Sequence, residues 1–209
     1  MLELFTPDRL ARSLAALGAD PAPALFDRLA ELYRSPGRHY HTDVHVTECL
    51  RALDGHRDLA ERPDEVELAI WFHDAIYDTR RSDNEDASAL LALECLGPLG
   101  VREDSLDRLA QLIRWTQRHD AQGRDGELLI DIDLGILGQA PEVFARYDAA
   151  IRAEYAWVPD QDYRAGRAQV LRSFLGRERI FVTPTFHDAF EGAARANLAR
   201  ALAQLEGTS

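Results

Sequence analysis

In the stretch Ala69 to Asp78, AIWFHDAIYD, a histidine and a carboxylate stand side by side inside an apolar run. Burying either group without a partner costs several kcal/mol. The His-Asp dipeptide occurs at 73–74, 119–120 and 187–188, whereas seven histidines in 209 residues predict fewer than one such pair by chance. The first pair stands out because the apolar pattern puts it in the middle of a helix, where an unpaired charge is penalised. Adjacent helical residues reach one ion only if it sits above the ridge between them, so a site here needs further ligands from other helices. His41 and His45, four apart, share a face if both are helical, with Glu48 one turn on. His187-Asp188 reads as decoration of the first turn of the last helix, and His119-Asp120 falls at a helix C-terminus, where histidine is favoured by the dipole.

Other chemistries are excluded by what the chain lacks. Every one of the 24 basic residues is Arg, which rules out a Schiff-base or P-loop lysine, and neither GxSxG nor GxGxxG occurs. Net charge is −12, so a general nucleic-acid binding surface is not expected. Cys49 and Cys95 are isolated and read as buried thiols in a reducing cytoplasm. No apolar run approaches the roughly 18–20 residues that span a bilayer. The start, MLELFTPDRL, lacks the basic and apolar regions of a secretory signal.

The elements that must position these residues read as helices from end to end, one all-α domain over 1–209. Thr6-Pro7 opens the first and Gly18 stops it; a second covers about 22–34, and a third starts near Asp43. Pro63-Asp64 opens the helix of the His-Asp pair, on which Ala69, Phe72, His73 and Ile76 share a face. Ser82-Asp83-Asn84-Glu85 has the form of a capping box. Leu106 to Thr116 form the next helix, and a polar loop runs from His119 to Gly126. Pro141, Asp160 and Thr183-Pro184 open the last three helices. Leu128 to Leu134 alternates apolar and acidic residues like a strand. A lone strand has nothing to pair with, so helix is favoured, and then Asp131 and Asp133 point about 200° apart.

His45, His73-Asp74 and Asp133 reproduce the order His…His-Asp…Asp of the HD superfamily of metal-dependent phosphohydrolases. The fragment Tyr40-His41-Thr42-Asp43-Val44-His45 is similar to the Tyr-His-Asn-x-x-His of cyclic-nucleotide phosphodiesterases in that superfamily. More closely, RHYHTxxHVxEC, AxWFHDAIYD, NExAS, TxxH and DIDLGILG resemble a bacterial group of HD-superfamily phosphohydrolases of about this length, over residues 30 to 180. The resemblance implies an HD-type helical bundle whose metal ligands are His45, His73, Asp74 and Asp133, with Asp74 bridging if two ions bind. The further histidine of the phosphodiesterase motif is missing, and Asp78 stands nearby instead.

The resemblance further implies hydrolysis of a phosphate ester or anhydride of a small metabolite, most readily a nucleotide, by water activated on one or two divalent ions (Mn, Mg, Zn, Fe, Co or Ni). His41 would protonate the leaving oxygen, with Asp74 at the reacting centre. Arg38, Arg80 and Arg81 are candidates to grip phosphate. Glu85 is divided between the capping box and the substrate, and His119 between a helix end and the site. Two other readings are a di-iron HD-fold oxygenase, which needs extra histidine ligands such as His41 and His119, and a non-catalytic metal- or nucleotide-sensing module.

Overall fold

Helix boundaries follow the local signals closely in the computed structural model, which describes residues 4–207; the first three residues of the MLELFTPDRL stretch lie outside it. Thr6 caps α1 (Pro7–Ala16), its hydroxyl accepting the Arg9 amide at 3.3 Å, and Gly18 follows at φ 75°, a left-handed conformation that costs glycine little. Then come α2 (Pro23–Tyr33), α3 (Asp43–His56), α4 (Pro63–Phe72), α5 (Asn84–Leu96) and α6 (Glu103–Trp115). The chain continues through α7 (Arg124–Asp133), α8 (Pro141–Glu154), α9 (Asp160–Leu175) and α10 (Pro184–Glu206). No strand occurs among the described residues, and 128–133 is helical, as the absence of a pairing partner requires. The protein is all-α.

The chain forms two compact units, Met1–Ile132 and Asp133–Ser209. At the centre of the first is α4, packed against α1, α3, α5 and α6. Every residue from Glu65 to Phe72 is buried, so this helix is apolar on nearly all sides. Leu68, Ile70, Trp71 and Phe72 are completely enclosed, each worth about 1.5–3 kcal/mol of transfer free energy. Its two buried glutamates are paired. Arg108 grips Glu65 through two bonds of 2.7 Å. Glu67 accepts from Arg9 at 2.9 Å, Ser13 at 2.8 Å and Arg57, and Arg9 also holds both oxygens of Asp54 at 2.7 Å.

In the second unit α9 and the 3-10 turn Leu134–Gly138 pack on α10. Gly138 is required there, because a Cβ would stand 2.5 Å from that of Phe190. A hollow of about 520 Å³ lies among α8, α9 and α10, and none of the predicted site residues lines it. Two of its arginines are already engaged by carbonyls: Arg152 by Tyr155 and Val158, Arg164 by the end of α10.

Three expectations are corrected. The helix of the His-Asp pair ends at Phe72, so His73 is its C-cap and Ile76 lies beyond it. Competing partners stop it: Arg38 takes the carbonyls of Asp74 and Ala75, and Ser88 Oγ accepts the Ile76 amide. The capping box does not form, since Asp83 is the N-cap of α5 and no side chain caps that end. His41 precedes α3, whose cap is Thr42, so it reaches His45 from a turn and not from a shared helical face.

Candidate metal centre

His45 comes from the first turn of α3, His73 from the C-terminus of α4, and Asp74 from the residue after it. The imidazoles are 3% and 1% exposed, and Asp74 is partly open to solvent. His45 Nε2 lies 3.1 Å from His73 Nε2 and 3.6 Å from Asp74 Oδ2, and His73 Nε2 lies 3.0 Å from that same oxygen. Three ligand atoms thus converge within 4.8 Å.

The protonation pattern follows from the neighbours. His73 Nδ1 is 3.0 Å from the Ile70 carbonyl, which can only accept, so Nδ1 carries a proton and Nε2 is the nitrogen turned toward His45 and Asp74. A carbonyl that fixes the far nitrogen in this way is the usual support of a metal-binding histidine. Two imidazole nitrogens 3.1 Å apart beside a carboxylate need a shared proton or a shared cation between them. Ligands about 2.1 Å from one ion stand about 3.0–3.4 Å apart at octahedral to tetrahedral angles; two of the observed spacings, 3.1 and 3.0 Å, fall on that range, and the third, 3.6 Å, lies slightly beyond it. The residues present therefore fit a divalent ion.

Around this cluster the ring of Tyr40 lies 4.7 Å from that of His45, and His41 stacks on Tyr77 at 4.0 Å and 26°. Glu85, on α5, is half-buried. Burial raises its carboxyl above the usual range, its own amide opposes the shift, and the charge of Asp74 adds to it while His119 and His73 oppose it. Glu85 therefore senses the charges of the cluster and of His119. His119 is the one described non-glycine residue with positive φ, at 47°.

The candidate arginines separate. Arg38 spends its donors on Ser35 Oγ and on the carbonyls of His41, Asp74 and Ala75, which leaves it poorly placed to grip phosphate. Arg81 is held by both oxygens of Asp83, and Arg80 is exposed. Asp78 is exposed too and accepts the Arg80 amide, a turn role rather than a ligand role. Asp133 is the last residue of α7 and half-exposed, whereas Asp131 is completely buried. Sequence reasoning missed Cys49, whose Sγ is 3.7 Å from His45 Nε2; the i,i+4 spacing from His45 was the available signal. It also missed Tyr77, which has no spacing signature.

Comparison of the chain with protein-family models, curated proteins and solved structures returns no match.

Proposed function

We propose that this protein is a metal-dependent phosphohydrolase acting on a phosphate ester or anhydride of a small metabolite, with a nucleotide as the preferred class. The observation that carries the reading is the convergence of His45 Nε2, His73 Nε2 and Asp74 Oδ2, with His73 Nδ1 turned away to Ile70. The order of the sequence motifs adds Asp133 as the fourth ligand and selects phosphoryl chemistry. A bound divalent ion supplies a hydroxide nucleophile at neutral pH and neutralises charge on a phosphoryl oxygen.

The chain's own residues do the rest. His45, His73 and Asp74 would hold the ion, with both imidazoles buried. Asp74 and Glu85, whose carboxyl feels the Asp74 charge, put acidic groups beside the cluster, which a bound cation would offset for an anionic substrate. His41, in the turn before α3 and with its ring centroid 6.1 Å from that of His45, donates a proton to the leaving oxygen. Both cysteines are free thiols, in keeping with a cytoplasmic setting, and no described helix is long and apolar enough to cross a membrane.

The test is a screen of nucleotides and phosphate esters with Mn, Mg, Zn, Fe, Co or Ni, read by phosphate release. Activity should require metal. In His41→Ala, kcat should fall on the order of 10²–10⁴-fold, and less for a nitrophenyl ester, whose leaving oxygen needs no proton. Equal loss with good and poor leaving groups would remove His41 as the proton donor. No metal-dependent release from any substrate would remove the phosphohydrolase reading.

A further inference from the structure

We infer that Arg38 is a positioning residue: its guanidinium locks the turn bearing His41 to the turn bearing Asp74, and so sets where the proton donor stands relative to the metal ligands. The inference rests on the reading of His41 and Asp74 given above, and it replaces phosphate binding as the role of Arg38.

One nitrogen carries the coupling. Arg38 Nη1 donates to the His41 carbonyl at 3.0 Å and to the Asp74 carbonyl at 2.7 Å, two residues that are 33 positions apart in sequence. Nη2 donates to the Ala75 carbonyl at 2.7 Å, and Nε to Ser35 Oγ at 3.2 Å. Four of the five donors of the guanidinium are thus directed at the polypeptide itself. The side chain is half-buried, so these are bonds that water competes for weakly.

The faces of the same group are used as well. Cζ lies 5.2 Å from the centroid of Tyr33 and 5.5 Å from that of Tyr77. Tyr33 is fully buried on α2, and its hydroxyl donates to the Trp71 carbonyl in the last turn of α4 at 3.1 Å. Tyr77 in turn stacks on the His41 ring. Tyr33, Arg38, Tyr77 and His41 therefore form a connected stack, anchored at one end to the central helix and ending at the imidazole. The in-plane bonds fix the main chain of His41, and the stack fixes its ring. Lysine cannot replace this geometry, since an ammonium has no plane to stack and no fork to span adjacent carbonyls.

A loop clamp with no bearing on the chemistry would lower stability alone. A positioning role predicts more. In Arg38→Lys, kcat toward a poor leaving group should fall about 10–100-fold, the usual cost of a lost orienting partner, with KM little changed. The loss should shrink for a nitrophenyl ester and nearly vanish in a His41→Ala background, because both changes then remove the same step. NMR supplies a readout that needs no activity: the His41 ring protons, shifted by the stacked Tyr77, should move toward free-histidine values in Arg38→Lys while the rest of the spectrum stays folded. Additive losses in the two backgrounds, or unmoved His41 signals, would overturn the inference. If the wild type releases no phosphate with any metal, the functional reading fails, and the NMR shift still decides whether Arg38 holds His41.

Discussion

At its N-terminal end α4 buries Glu65 and Glu67, and at its C-terminal end it buries His73 beside Asp74, yet the two ends resolve the burden of buried polar groups differently. Near the start each carboxylate meets guanidinium: Arg108 for Glu65, Arg9 and Arg57 for Glu67. Donors and acceptors balance there, and the assembly needs nothing from outside. Near the end the carboxylate meets two imidazoles whose Nε2 atoms point at it and at each other. Three atoms able to donate electron pairs then share one small space, an arrangement that could hold a cation. Burial of ionisable groups alone does not mark a candidate site; convergence of possible ligand atoms without a guanidinium partner does.

The largest expected effect breaks the balanced end. Glu67→Ala leaves Arg9 and Arg57 facing a buried gap and should cost about 3–5 kcal/mol. For a chain of this size that lowers Tm by roughly 6–20 °C, the same with metal or chelator present. A loss that disappeared on adding metal would mean that the two ends are coupled.

The unbalanced end should respond to metal instead. At a free ion concentration one hundred times Kd, binding stabilises by about 2.7 kcal/mol, a rise in Tm of roughly 5–11 °C over the chelated protein. His73→Ala should abolish the rise. Asp133→Asn should reduce it and Asp131→Asn should leave it, as the helical phase and the motif order require; the reverse pattern would move the fourth ligand to Asp131. An equal rise in wild type and His73→Ala would place the ion elsewhere.

The smallest effect is a pH dependence confined to the balanced end. Burial raises the Glu67 carboxyl, but bonds from Arg9 and Ser13 and the charge of Arg9 outweigh it, so the net value lies below the ordinary glutamate range. A carboxyl lowered in the folded state contributes stability that is complete above its unfolded value and is lost as pH falls through the folded one. Thermal melts should therefore show wild type losing Tm on acidification below about pH 4.5 more steeply than Glu67→Gln. Parallel curves would show that the pairing of Glu67 does not govern this range.

Much of this frame was legible in the chain. Thr6-Pro7, Pro63, Pro141 and Thr183-Pro184 each mark an observed helix start, because capping and proline placement are local chemistry. The helical reading of 128–133 also holds, since an isolated strand would leave its hydrogen bonds unmade. The end of α4 was not legible. It is set by Arg38, more than thirty residues away in sequence, competing for the Asp74 and Ala75 carbonyls. The same remoteness hid the work of Arg38, which as a lone arginine in a loop looked available to an anion. Ser82 to Glu85 matched a local motif that the fold does not use, and Asn84 instead bonds the amide and carbonyl of Asp78.

The enclosure of α4 also has a meaning in time. Its residues from Glu65 to Phe72 are sealed on every side by α1, α3, α5 and α6, so no neighbouring helix can peel away from it cheaply. Such a segment exchanges its amide hydrogens only when the whole unit opens, on the slowest scale the protein possesses. His73 is tethered to the end of that segment, with its amide bonded to the Ala69 carbonyl. The floor of the site is thus as long-lived as the fold, and breathing of the loops above it leaves that floor in place.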